Sequence, residues 1–114
     1  MARPPGSEDA VDVAMAQVPR ANFLPAEQRK KAGLDQPLPL GDGQTNSQPT
    51  TVAAMLRLLD VRAGHRVLDV GAGSGWSTAL LATLVGPSGS VVGVELVPRL
   101  ARWGAENLAR QQVS

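Results

Sequence analysis

The 114-residue chain has no cysteine and no tyrosine, and it carries one phenylalanine, two tryptophans and a single histidine. Without cysteine there is no disulfide, no thiolate nucleophile and no cysteine metal site, a composition that fits a reducing, cytoplasmic compartment. His65 has no second histidine with which to share a metal, so it reads as a solvated loop residue, and no metal site is expected. A net charge of +1 and so few aromatics provide neither the basic face nor the stacking platforms that nucleic-acid binding requires. Long apolar runs are missing too. No stretch reaches the length of a bilayer span, and the opening MARPPGSEDA lacks the apolar core of a secretion signal. These absences leave a small globular chain expected to bind neither nucleic acid nor membrane.

What the chain does hold is glycine, concentrated where it matters. Residues 66–76 read RVLDVGAGSGW: Val67, Leu68 and Val70 form a short apolar strand, and Gly71, Gly73 and Gly75 follow at alternate positions. Glycine permits backbone angles and close approaches that a side chain blocks, so the pattern predicts a strand turning tightly into a helix, with backbone amides facing a ligand. The dinucleotide fingerprint needs its third glycine three positions after the second, where Trp76 stands; G-x-G-x-G is the commoner form in S-adenosylmethionine-dependent methyltransferases. Downstream, Ser90 to Leu96 predicts a second strand closing on Glu95, at about the ~20-residue separation where an acid accepts hydrogen bonds from ribose hydroxyls. Asp69 and Glu95 thus frame one nucleotide-type site.

Elsewhere the punctuation is plain. Ser7 is placed to cap a first helix with Val11, Met15 and Val18 on one face, stopped by Pro19. Phe23, Leu24 and Pro25 read as an apolar hinge, and 26–32 as a polar helical turn whose Arg29, Lys30 and Lys31 make a solvated face. Residues 33–49, rich in Gly, Pro, Asn and Asp, read as an extended loop of the length that is usually functional or disordered. Ser47, Gln48 and Pro49 then open a helix whose Val52, Met55, Leu56 and Leu59 predict a core face. Ser47 is either the N-cap of that helix or, with the free helix amides, a receiver for a substrate carboxylate. Trp76, Leu80, Leu81 and Leu84 give the helix after the glycines an apolar stripe, which makes a βαβ unit. A last helix from Pro98 is expected to bury Leu100, Ala101, Gly104, Ala105 and Leu108, with Trp103 packing, and to fray over 111–114.

These residues resemble the protein L-isoaspartate O-methyltransferases, which methylate the carboxylate of isoaspartyl residues in damaged proteins. The family's V-P-R followed by an F-V-P-like element is similar to Val18, Pro19, Arg20 and then Phe23, Leu24, Pro25. Its D-x-P-L-P-I-G element resembles Asp35 through Gly41, and its G-Q-T-I-S-Q-P loop resembles Gly43 through Pro49. That loop is the discriminating match, because the glycine turn alone names only the superfamily. Departures are Asn46 where the family usually has isoleucine, Trp76 for its usual tyrosine, and Gly33 within an expected Ala-Tyr pair.

The resemblance implies an α/β, Rossmann-like S-adenosylmethionine-dependent methyltransferase fold, truncated after the second strand and its helix, since the family's sheet has seven strands. Residues 1–49 would form an N-terminal helical and substrate-loop region and 50–114 the N-terminal part of the cofactor-binding domain. It further implies S-adenosyl-L-methionine as cofactor, isoaspartyl peptides or proteins as partners, Ser47 and Thr45 beside the substrate carboxylate, and Asp69, Gly71, Ala72, Gly73, Ser74, Gly75 and Glu95 around the cofactor. Two other readings stay open: a related carboxyl methyltransferase acting on aspartate of a modified peptide, and a cofactor-binding chain that does not catalyse.

Overall fold

A computed structural model describes residues 9–111. Helix α1 spans Ala10–Gln17, and its cap is Asp9, whose Oδ1 accepts from the amides of Val11 at 2.8 Å and Asp12 at 3.4 Å. Ser7, expected as the cap, lies outside the described residues. The other carboxylate oxygen of Asp9 takes the Arg57 guanidinium at 2.9 Å, which ties α1 to helix α2, Pro49–Leu59. Val11 and Val18 turn inward as the helical spacing predicts, Met15 is partly buried against the same cluster, and Ala14, not expected there, is fully buried.

Two 3-10 helices follow, Arg20–Phe23 and Ala26–Lys31, each entered from a proline. The apolar hinge between them is an anchor: Phe23 and Leu24 are fully buried, in two different clusters. Arg29, Lys30 and Lys31 are exposed, as a solvated face should be.

The segment 33–49 is not a featureless loop. It contains a β-hairpin of β1, Leu38–Gly41, and β2, Gln44–Asn46, paired antiparallel with Leu38 opposite Asn46. The connection is Asp42-Gly43, with φ of +54° and +71°, the left-handed pair that a two-residue hairpin turn demands. Leu38 and Leu40 alternate inward and pack with Leu24 and Leu100.

Helix α2, Pro49–Leu59, has Gln48 as its N-cap residue and no capping bond from that side chain, so Ser47 is not the cap. The cap comes from a distance: Asp35 accepts from the Thr50 amide at 2.9 Å, the Thr50 hydroxyl at 2.6 Å and the Gln48 side chain at 3.2 Å. These bonds, those of Thr50 foremost, hold the Asp35 carboxyl below the usual carboxylate range. The expected core face also shifts. Ala53 and Leu56 are buried, whereas Met55 is 64% and Leu59 57% exposed, because α2 meets the core through a narrow stripe and those two side chains lie off it.

Strand β3, Arg66–Val70, and β4, Ser90–Val94, pair in parallel from Arg66 opposite Ser90 to Val70 opposite Val94. Helix α3, Trp76–Val85, connects them and buries Trp76, Ala79, Leu80, Leu81 and Val85 against α1 and one face of the sheet. The other face shows Leu68, Val70, Val92 and Val94 to solvent. Helix α4, Pro98–Arg110, buries Leu100, Gly104 and Asn107 rather than Ala101 and Ala105, which are exposed. Its inward line is set by backbone contact: a Cβ on Gly104 would stand 3.0 Å from the Gly73 carbonyl oxygen, and Asn107 Nδ2 donates to the Ser74 carbonyl at 2.9 Å. Trp103 packs on the Leu38–Leu40–Leu100 cluster, as expected. No helix among the described residues is long and apolar enough to cross a membrane.

Two outcomes follow for stability. The Arg57 hydrogen bond, outweighing burial and helped by the two amides, holds Asp9 down to about 2. A depressed carboxyl contributes its stability above its ordinary value of 3.8 and loses it as pH falls towards 2, so Asp9→Asn should lower the urea midpoint at pH 6 and match the parent near pH 2. Asn107→Ala strands the buried Ser74 carbonyl and should cost about 1–3 kcal/mol in the same measurement.

Candidate functional site

At the end of β3 the backbone enters the left-handed region three times, at Gly71, Gly73 and Gly75, with φ of +75°, +56° and +97°. Four amides of this turn are used inside the chain rather than left facing a ligand. Those of Gly71 and Ala72 donate to the Val94 carbonyl at 2.9 and 3.0 Å, Gly75 to Ala72 at 2.9 Å, and Gly73 to Glu95 Oε1 at 2.8 Å. What the turn offers outward is space. A Cβ on Gly71 would meet nothing within 4 Å, while one on Gly75 would press on Gly104 at 3.1 Å. One glycine thus serves access and another packing.

The two acids have different surroundings. Asp69 Oδ2 accepts from the Ser77 and Thr78 hydroxyls at 2.6 and 2.8 Å, fixing the first turn of α3 to β3. Glu95 bridges the glycine turn to α4, its Oε2 taking the Val97 amide at 2.9 Å. Each Glu95 oxygen makes one of these bonds, so each keeps acceptor capacity, and the residue lines an open cleft of about 590 Å³ with Thr45, Gly71 and Gly73.

The hairpin closes over the turn. Leu40, Thr45, Asn46 and Ser47 on one side, and Gly71, Ala72, Gly73, Ser74, Trp76 and Ser77 on the other, line a hollow of about 70 Å³. Leu40 Cδ1 lies 3.5 Å from where a Gly73 Cβ would be. The residues expected from two separate motifs therefore meet, Thr45 and Ser47 against Gly71, Ala72, Gly73 and Ser74. Among them the Ser74 hydroxyl is buried and has no hydrogen-bond partner among the described residues, an unusual state for a buried polar atom. His65 stays apart from this site, exposed, with Nδ1 accepting from the Arg62 amide at 3.0 Å.

Two arginines hold the hairpin in place, and sequence reasoning gave neither a role. Arg99 donates to Asp42 at 2.6 Å and to the Leu40 carbonyl at 2.6 Å, clamping the turn to the start of α4. Arg20 is 6% exposed and reaches Asn46 Oδ1 at 2.6 Å together with the carbonyls of Ala32, Leu34, Gln36, Asn46 and Ser47. Its guanidinium also lies 5.7 Å from the centroid of Trp76, whose indole N–H donates to the Val18 carbonyl at 3.1 Å. Burial lowers the Arg20 pKa, and the Asp35 charge opposes that shift. Asn46 and Trp76, two of the three departures noted in the sequence, thus contact one cation.

The chain matches the family model for protein-L-isoaspartate(D-aspartate) O-methyltransferase over residues 4–114. It is 56% identical over 97 residues to a protein-L-isoaspartate O-methyltransferase of Aeropyrum pernix and 52% identical over 97 residues to one of Methanopyrus kandleri. Both matches cover 85% of this chain, but only 37% and 43% of those relatives' lengths. Among solved structures, a protein-L-isoaspartate O-methyltransferase superposes with a TM-score of 0.85 at 29% identity, over 96% of this chain and 36% of that one. A Plasmodium falciparum chain assigned to the same activity, solved with S-adenosyl-L-homocysteine, gives 0.80 at 31% identity, over 93% and 50%. Sequence and architecture agree with the juxtaposed hairpin and glycine turn, and the chain belongs to the protein-L-isoaspartate(D-aspartate) O-methyltransferase family.

Proposed function

We propose that this chain supplies the cofactor turn and the substrate lid of an S-adenosyl-L-methionine-dependent protein carboxyl O-methyltransferase acting on isoaspartyl residues. The observation that carries the reading is the shared hollow between Thr45 and Ser47 on the hairpin side and Gly71 to Ser74 on the turn. The residues present suit the cofactor. Glu95 keeps lone pairs for ribose hydroxyls, the orphaned Ser74 hydroxyl is a donor for a polar group at the methionine end, and the empty space beside Gly71 admits close approach. Asp69 serves the same site by fixing Ser77 and Thr78 at the start of α3. Gly75 serves it by seating the turn against Gly104.

When bound, S-adenosyl-L-methionine supplies a methyl group carried on a sulfonium. An isoaspartyl carboxylate is ionised at neutral pH, so its oxygen forms the new C–O bond as the C–S pair returns to sulfur, and no general base is needed. The products are a methyl ester and a thioether. The protein's task is alignment, with reacting atoms at about 3–3.5 Å. That task falls to the Ser47 and Thr45 hydroxyls, since the α2 amide of Thr50 is already taken by Asp35. Two neutral hydroxyls orient the carboxylate without the strong anion stabilisation that would favour the ground state as charge disappears. A cytoplasmic setting accompanies this reading, on the cysteine-free composition.

Calorimetry with S-adenosylhomocysteine and with NAD tests the cofactor: binding of the first alone is expected, and binding of NAD alone overturns the reading. Glu95→Gln should weaken S-adenosylhomocysteine about tenfold, the loss of a charge-assisted hydrogen bond. Ser47→Ala should lower kcat/KM for an isoaspartyl peptide about 10- to 100-fold and leave S-adenosylhomocysteine affinity within about twofold. Equal loss of transfer and cofactor affinity would remove Ser47 from the substrate. An aspartyl peptide methylated faster than its isoaspartyl isomer would move the assignment to the modified-peptide enzymes.

A further inference from the structure

Arg20 is a charged group buried in the body of the chain, and every hydrogen-bond acceptor it meets is neutral. A guanidinium has five N–H donors, and six acceptor contacts lie within reach, so at least one N–H is shared and none of the five needs water. The acceptors fall into two stretches of chain. Ala32, Leu34 and Gln36 belong to the segment leading into β1; Asn46 and Ser47 belong to the exit from β2. The guanidinium therefore staples both ends of the hairpin to one point, while Trp76, at the first position of α3, sets the distance of that point from the glycine turn.

We propose that Arg20 is the positioning residue of the substrate lid, and that Asn46 and Trp76 form its socket. Arg20 touches neither reactant. It fixes the backbone carbonyls on both sides of the Ser47 α-carbon, those of Asn46 and Ser47, and by doing so sets where the Ser47 hydroxyl stands above the hollow. The charge matters because cation-to-carbonyl bonds are roughly twice as strong as neutral ones in a site with little water. Lysine cannot replace it, with three donors on one nitrogen against acceptors spread around a plane. The Asn46 side chain supplies the shortest of the guanidinium's contacts and the only side-chain acceptor among them, so it selects the guanidinium's orientation. This placement of Ser47 rests on the functional reading above; the staple itself does not.

The test is amide hydrogen–deuterium exchange on the full chain, comparing parent, Arg20→Lys and Asn46→Ala, with S-adenosylhomocysteine affinity and isoaspartyl-peptide methylation measured alongside. Arg20→Lys should speed exchange over residues 44–48 about tenfold or more and leave β3 and β4 within about twofold. Asn46→Ala, which removes one acceptor and keeps the charge, should speed the same segment about fivefold and guards against the lysine variant failing to fold. In the methylation assay both variants should lose kcat for the peptide and keep the KM for S-adenosylmethionine. Unchanged exchange over 44–48 in both variants, or acceleration spread evenly over the chain, overturns the proposal. A parent chain that neither binds S-adenosylhomocysteine nor methylates overturns the functional reading instead, while the exchange comparison still decides the staple.

Discussion

The left-handed backbone at Gly71, Gly73 and Gly75 is the constraint from which the rest of the site follows. Each of these residues with a side chain would cost about 1–2 kcal/mol in conformational strain, before any clash is counted. Because the strain is absent, β3 reverses within a few residues, α3 starts with Trp76 already in the core, and the Gly73 amide points at Glu95. The same tightness lets α4 approach until Gly104 lies against the Gly73 carbonyl. The ends of β3 and β4 and the starts of α3 and α4 are thereby gathered around one turn.

The hairpin has no comparable claim on the core. It is four residues against three, short for a stable pair, and only Leu38 and Leu40 anchor it from below. Its position over the turn is an electrostatic matter, with Arg99 at the exposed tip and Arg20 at the buried base. The tip contact lies in solvent, where an ion pair contributes about 0–1 kcal/mol. The base contact is shielded from water and shared among several carbonyls, so the base governs the lid.

What could be read from the sequence was whatever depended on neighbours along the chain. Val67 to Gly75 announced strand, turn and helix through local pattern, and Trp76, Leu80 and Leu81 announced the buried side of α3. Pro37 and Pro39 hide the hairpin by suggesting irregular chain, and Asp42-Gly43 is the one local turn signal that marks it. The cap of α2 was illegible for a different reason: Asp35 reaches it across an intervening hairpin, so spacing rules nominated Ser47 instead. Periodicity revealed a stripe on α2 but carried no information about its partner, hence the exposure of Met55 and Leu59. Arg20 left the faintest trace, since five of its six acceptors are backbone carbonyls, which every sequence possesses. The alternation of glycine tells where the turn is, but not that four of its amides are spent on Val94, Ala72 and Glu95.

At the centre of this account stands a single crevice formed by two parts of the chain that are about 25 residues apart in sequence and face each other across the hollow. Nitrogen-15 amide spectra of the chain titrated with S-adenosylhomocysteine address it directly. The account predicts that the amides of Gly71 to Ser74, of Glu95, and of Thr45 to Ser47 shift together along one saturation curve. Shifts confined to the glycine turn, with Thr45 to Ser47 stationary at saturation, would contradict it.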